Sequence, residues 1–450
     1  MQQGDEHSKF QLKELIPNNL GALKGIFSSL RSRNYRLYFF GQCISVTGSW
    51  MQSIAMSWLI YRLSGSVVLL ATINVITQLP SFFISPFAGV LLDRLNRRKI
   101  LVATQVLYML EALTLALLMF MGVIQIWHIL LLGLSVGLIN AFDGPTRQSM
   151  VLDLVNRKED LSNAIALNSA VFNGARLVGP SLGGILVAAF GESWCFLING
   201  ISYIAVIIAL LMMTVKYDHL TRKKGTNVLE ELKEGFVYVA GYFPIRVLLI
   251  MVGMLSFFGM PFLVVIPAYV REILHGSSET LGFLMSFFGA GAFTAAIYMA
   301  ARKSVLGLGK VLVISSCFFG AGLMAIAFVP WSIVAYCVAF PAGFGLIASL
   351  ASINTLLQTL ADEDKRGRVM SFYSMGLIGM TPIGSMLFSL IEKACGLSLS
   401  VVLFGFICLC AALVFEHYRP VIRRLSRPAY VRQSIIVPEI AQGLQSTEQK

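Results

Sequence analysis

The chain has 450 residues, of which 56% are hydrophobic and only 13% charged, with a mean hydropathy of +0.76. A water-soluble domain carries about 25% charged residues, so a chain of two or three soluble cores is excluded and lipid becomes the solvent to consider. The formal net charge of +12 would suit a nucleic-acid partner, but the basic residues are scattered between apolar runs instead of gathered on one face, which sets that class aside.

Residues 1–36 form a polar segment closing on Lys24, Arg31, Arg33 and Arg36. Residues 1–24 lack an apolar core with a small-residue cleavage site, so no cleaved signal peptide is expected and the first apolar helix directs insertion. Helices are expected at 37–61, 67–92, 100–123, 127–150, 162–190 and 194–215, most of them about 20 residues or longer and so able to cross about 30 Å of hydrocarbon. The stretch 216–244 is the one long hydrophilic insert. Within it VLEELKEGFVYV places Leu229, Leu232, Phe236 and Val239 at helical spacing, the pattern of an amphipathic helix lying on a membrane surface or against a bundle. Six more helices follow at 245–270, 281–301, 311–329, 331–357, 369–391 and 398–415, and 417–450 reads as a basic tail. The fold class is thus an all-α membrane protein of about twelve spans, in six-helix bundles at 37–215 and 245–416.

Charge alternates along these connections. Arg94, Arg97, Arg98 and Lys99, then Arg157 and Lys158, Arg222 to Lys224, Arg302 and Lys303, and Lys365 to Arg368 fall on one side with both termini, against Arg62, Arg271 and Lys393 on the other. Positive residues stay on the cytoplasmic side, so both termini and 216–244 are expected there. Trp127, Trp194 and Trp331 each open a helix at the opposite face, where indoles prefer to sit.

The sharpest local feature is GVLLDRLNRRK, which joins a small residue, Gly89, to a carboxylate, Asp93, and to the fixed cations Arg94, Arg97 and Arg98 at a membrane edge. Such a group can latch two halves and release them. Asp143 and Arg147 lie four apart on one helix face, with Asn140 a turn before. GPSLGG, with Gly179, Pro180, Gly183 and Gly184, reads as a hinge, because proline removes a ladder hydrogen bond and glycine admits close neighbours. Polar residues inside apolar helices mark a cavity: Gln42 and Gln52, Asn74 and Gln78, Asn140, Asn168 and Asn173. Phe257, Phe258, Phe262, Phe287 and Phe288 could form a facing aromatic wall or lipid-facing bulk.

Glu111 and Arg176 are the charges deepest in apolar sequence, at roughly 18 and 21 Å by a rise of about 1.5 Å per residue. Matching depth makes them candidate partners for proton coupling and for an anionic cargo. GLSVG at Gly133 to Gly137 fits a hydrolase elbow but lies inside an apolar helix, so it reads as packing. Five scattered histidines and no paired-cysteine motif give no metal site, and no phosphate-binding loop is present. The chain is therefore expected to be no enzyme and to need no cofactor beyond an ion gradient, with a proton gradient the favoured source.

Gly89, Asp93, Arg94, Arg97 and Arg98 resemble the loop signature of the major facilitator superfamily, with Asn96 in place of its second glycine. LRSRNYRLYFFGQ, GSWMQSIAMSWLIYRLSGS, GPTRQSMVLDLV, NAIALNSAVFNGARLVGPSLGG and ELKEGFVYV further resemble its transmembrane-effector branch, which includes enterobactin and macrolide exporters. The resemblance implies two pseudo-symmetric bundles, an Arg97 to Asp143 contact, an antiporter role for GPSLGG, and a monomer in the bacterial inner membrane that exports a small amphipathic molecule by proton antiport. An importer or lysophospholipid flippase on the same fold, or a scaffold or sensor that transports nothing, remains the alternative reading.

Overall fold

The computed structural model describes residues 28–92, 96–154, 161–213, 228–302, 304–363 and 365–432. They fold as helices: α1 (Arg33–Ser64), α2 (Val67–Leu92), α3 (Arg97–Phe120), α4 (Ile126–Leu154), α5 (Leu161–Phe190), α6 (Glu192–Met212), α7 (Val228–Gly241), α8 (Phe243–Met254), α9 (Pro261–Glu272), α10 (Ser278–Ala301), α11 (Leu308–Ile326), α12 (Ser332–Leu360), α13 (Arg366–Cys395) and α14 (Leu397–Arg432). Eleven segments of the described residues are long and apolar enough to cross a membrane, with α8 and α9 counting as one. The twelfth long helix, α1, carries too many polar residues to qualify, although at 32 residues it is ample in length.

Local chemistry sets several of the ends. Gly65 closes α1 in a left-handed conformation (φ 59°) that most residues with a side chain resist, and its N–H bonds the Tyr61 carbonyl. Asn96, which stands where the superfamily signature has glycine, caps α3 by accepting a 3.1 Å bond from the Lys99 N–H. α8 and α9 meet at a π-helical turn, Leu255–Gly259, immediately before Pro261. Proline has no N–H to continue the ladder, and the wider turn is closed by Met260 N–H on the Leu255 carbonyl at 3.1 Å.

Helices α1–α6 make one half and α8–α14 the other, joined chiefly along two seams, α5 on α10 and α2 on α13. The first seam is built on glycine. A Cβ on Gly282 would stand 2.6 Å from the Pro180 carbonyl oxygen and 2.9 Å from the Gly184 Cα, so the two backbones touch. Gly179 and Gly183 are packed likewise against Trp50 and Met51 of α1, and α5 runs unbroken through Pro180. Gly133 and Gly137 receive Thr77 of α2, which confirms the packing reading of GLSVG.

Among the described residues three hydrogen bonds cross between the halves: Tyr61 Oη to Glu272, Ser278 Oγ to the Gly184 carbonyl at 3.3 Å, and Ser181 Oγ to Ser286 Oγ at 2.5 Å. All three lie toward the tryptophan face. Gly282→Val should therefore wedge the seam open at that face, at an overpacking cost of about 1 to 3 kcal/mol. Spin-label distances across the Trp127 and Trp331 ends should lengthen, and unchanged distances would disprove the wedge.

The amphipathic helix expected at 228–239 is α7, docked on the second half. Tyr238 Oη donates to Asp362 at 3.1 Å, while Glu234 pairs with Arg368 and, at 3.7 Å, with Lys365. The Arg368 hydrogen bond and charge hold the Glu234 carboxyl below the usual carboxylate range. This contribution to docking is complete above the ordinary carboxylate pKa and is lost as pH falls through the lowered one. A fluorophore at exposed Val237 should report release of α7 on acidification or high salt, and a signal flat in both would refute the electrostatic latch.

The last helix runs past the end expected at 415. α14 continues through Pro420 and Pro428 to Arg432, with Ile422, Ala429 and Tyr430 buried and the Leu425 carbonyl accepting from Tyr242 Oη at 3.2 Å. The charges that read as a helix exit are paired along its surface, Glu416 with Arg419 at 2.6 Å. Residues 433–450 lie outside the described residues.

Candidate functional site

The polar face of α1 is buried among α3, α4 and α6, because Gly41 and Gly48 let α6 approach closely. Toward the basic face, Arg147 and Asp143 of α4 form a 2.7 Å ion pair. The remaining valences are filled by neighbours: Arg147 donates to Gln42 of α1, and Thr104 (2.9 Å) and Gln105 (2.8 Å) of α3 donate to the other Asp143 oxygen. A fully hydrogen-bonded buried pair of this kind is stable where either charge alone would not be.

The network continues to mid-depth. Tyr108 donates to Asn140 and stacks on Tyr203 at 5.7 Å and 14°. Ser49 gives its proton to the Ser45 carbonyl (2.9 Å), so at 3.1 Å it accepts from Tyr203 Oη. Beyond lies Glu111, 5% exposed, which accepts from Gln52 Nε2 at 3.0 Å. Asn199 of α6 donates to Gln52 Oε1 at 2.7 Å, which fixes the amide so that its NH₂ end faces the carboxylate.

Arg176 stands apart. Its guanidinium lies over the Trp50 ring at 5.1 Å from the centroid, and among the described residues it has no carboxylate partner and no hydrogen bond. A cation near the membrane centre costs on the order of 3 kcal/mol by insertion scales, of which a cation–π contact returns about 0.5 to 2. The expected Glu111 to Arg176 pair is thus not formed: Glu111 looks from α3 toward α1 and α6, whereas Arg176 sits on the α1 and α10 side of α5.

Residues 24–444 match the family model described as transmembrane secretion effector. The chain belongs to the transmembrane secretion effector family of the major facilitator superfamily. It is 23% identical to the staphyloferrin A transporter of Staphylococcus aureus over 84% of this chain and 94% of that one. It is 24% identical to the multidrug efflux pump Tap of Mycolicibacterium fortuitum over 80% and 90%, and 22% identical to macrolide efflux protein A of Streptococcus pyogenes over 85% and 96%. Among solved structures, an inward-facing, unoccupied bacterial homologue of the human lysosomal transporter Spinster superposes with a TM-score of 0.68 at 15% identity, covering 89% of this chain and 98% of that one. An inward-facing bacterial homologue of the iron transporter ferroportin superposes at 0.65 with 17% identity, over 88% and 98%.

The other expected site residues of this secretion effector divide in three. Asp93 and Arg94 lie outside the described residues, and of Gly89 only its place in α2 is described. Arg98 donates to the Leu210 and Leu211 carbonyls at 2.6 Å each, capping α6 within the first half. The described partners of Asp143 are Thr104, Gln105 and Arg147, so the Arg97 contact implied by the resemblance is replaced by the neighbour one turn away. Gln78 donates to Asn74 at 3.1 Å on α2, Asn173 donates to the Ser169 carbonyl at 2.8 Å, and Asn168 is half-buried on α5.

Of the five phenylalanines, Phe257 lies edge-on to Phe258 with ring centroids 4.7 Å apart. Phe262 and Phe288 are buried in the core of the second half, Phe258 packs on Phe404 at 5.3 Å, and Phe287 stacks on Tyr336 near the surface. Sequence reasoning also missed Thr104, Gln105, Tyr108, Asn199 and Tyr203. Their signal was present: Thr104, Tyr108 and Glu111 recur at i, i+4 and i+7, a polar stripe inside an apolar helix.

Proposed function

We propose that this secretion effector exports a small amphipathic molecule across the bacterial inner membrane by alternating access, driven by proton entry, with the basic face cytoplasmic. The observation that carries the reading is the closure of the two halves on each other at the tryptophan face. Among the described residues, three hydrogen bonds join the halves toward the tryptophan face, contacts that an alternating-access protein must break to open that side. Glu111 is the proton site, because it is a buried carboxylate at mid-depth with no counter-cation among the described residues. Asp143 with Arg147, and the loop of Asp93, Arg94, Arg97 and Arg98, serve the switch. The relatives named for a siderophore, for multiple drugs and for macrolides support a small-molecule cargo.

Purified protein in liposomes tests the reading directly. With the tryptophan-face side made acidic, the metabolite that a deletion strain fails to export should be driven toward that side. Flux that ignores the gradient would defeat the antiport reading, and flux toward the basic face would make the protein an importer.

Orientation is tested separately. In a cysteine-free background, Lys233→Cys on α7 should react with an impermeant thiol reagent only from the cytoplasm, and His275→Cys only from outside. Reversed labelling would invert every statement of direction.

A further inference from the structure

We propose that Arg176, held over Trp50 at the seam of the two halves, is the receptor for a carboxylate or similar planar oxyanion on the transported molecule. The inference rests on the exporter reading only for the word transported, and the receptor chemistry stands on its own geometry.

Charge accounting within the first half singles this residue out. Arg147 has Asp143, Arg62 has Glu192 at 2.8 Å, and Arg98 has the carbonyls that end α6. Among the described residues Arg176 has only an aromatic face. The ring's electron-rich face stabilises the cation without using its N–H groups. None of its nitrogens is sealed off as a buried donor lacking a partner, so they remain open to an incoming acceptor.

The surroundings define what that acceptor is attached to. Trp50 packs with Phe39 and Cys43 on a small apolar cluster of Val46, Val171 and Ala175. A guanidinium fork matches a carboxylate in a bidentate way, and the apolar cluster beside it suits a hydrocarbon or aromatic body. The ligand class is therefore an amphipathic organic anion, and a lipophilic cation is disfavoured at this subsite. Position makes the contact consequential: a Cβ on Gly289 of α10 would stand 2.6 Å from the Arg176 carbonyl oxygen. The stretch of α5 that carries Arg176 thus belongs to the seam itself.

The probes are 1-naphthoate, its uncharged amide 1-naphthamide, and tetraphenylphosphonium, titrated into purified full-length protein in nanodiscs. Binding is read from the emission of Trp50 with Trp58, Trp127, Trp194 and Trp331 replaced by Phe, and from the melting temperature of the unmodified protein. Naphthoate should bind at least about tenfold more tightly than naphthamide, the ratio a charge-assisted hydrogen bond supplies. Arg176→Gln should remove that preference while leaving naphthamide affinity in place, and Arg176→Lys should keep part of it, which guards against a variant that fails to fold. The inference is overturned if the unmodified protein does not prefer naphthoate, if Arg176→Gln retains the preference, or if both probes weaken equally. Failure of the exporter reading would look different: the naphthoate preference would persist in nanodiscs while liposomes showed no gradient-driven flux of any probe.

Discussion

Asp143→Asn is expected to destabilise the first half by about 3 to 5 kcal/mol, because it strands a buried Arg147 with its counter-charge removed. The magnitude follows from the neighbours. Gln42 can still accept from Arg147, but Thr104 and Gln105 were placed as donors toward a full negative charge and would now meet an amide. Arg147→Gln alone should be comparably harmful, leaving Asp143 with two neutral donors. The double variant should recover most of the loss, since removing both members of a buried pair can be nearly neutral. Thermal unfolding of the three variants in detergent, arranged as a double-mutant cycle, gives the coupling directly. Additive losses would show that the pair is not a unit and that each residue is held by its own surroundings.

The second large effect concerns coupling rather than stability. One proton moving through 100 mV supplies about 2.3 kcal/mol, enough to sustain roughly a fiftyfold concentration ratio. Glu111→Gln cannot carry that proton, so concentrative export in liposomes should collapse to equilibration while exchange of cargo across the membrane persists. The amide keeps nearly the shape of the acid and can still meet Gln52, so folding should be spared. Gln52→Leu is the companion variant: it leaves Glu111 without its described donor and should change the pH dependence of coupling without abolishing it. Concentrative transport by Glu111→Gln at the unmodified rate would assign the proton to another group.

The helices and their division into two sixes were legible because a hydrocarbon layer imposes a length and a polarity on every crossing. Their rotation was not. Depth along a helix axis follows from counting residues, and that count puts Glu111 and Arg176 at similar levels. Whether two residues at one level face each other depends on which helices flank them, and that is decided by the glycines of α1 and α5, which seat α6 and α10. The same blindness hid the fate of the phenylalanines, whose apolar rings fit a core, a cavity wall and lipid equally well. The Asp143 to Arg147 pair was readable because it is local, four residues apart on a helix. The end of α14 was misjudged for a different reason: Glu416, Arg419 and Pro420 together resemble an exit from the membrane, yet the helix carries on beyond them.

The π-helical turn before Pro261 has a consequence for inheritance of length. It holds one residue more than an α-helical turn needs, and an α-helix advances about 100° per residue. Deleting a single residue from Leu255–Gly259 removes that extra residue and would swing Glu272 about a quarter-turn or more away from Tyr61. Relatives that lack this extra residue should then fasten their tryptophan-face contact with a different side chain, so a gap in an alignment at this turn would forecast a changed partner further along the chain, at the position of Glu272.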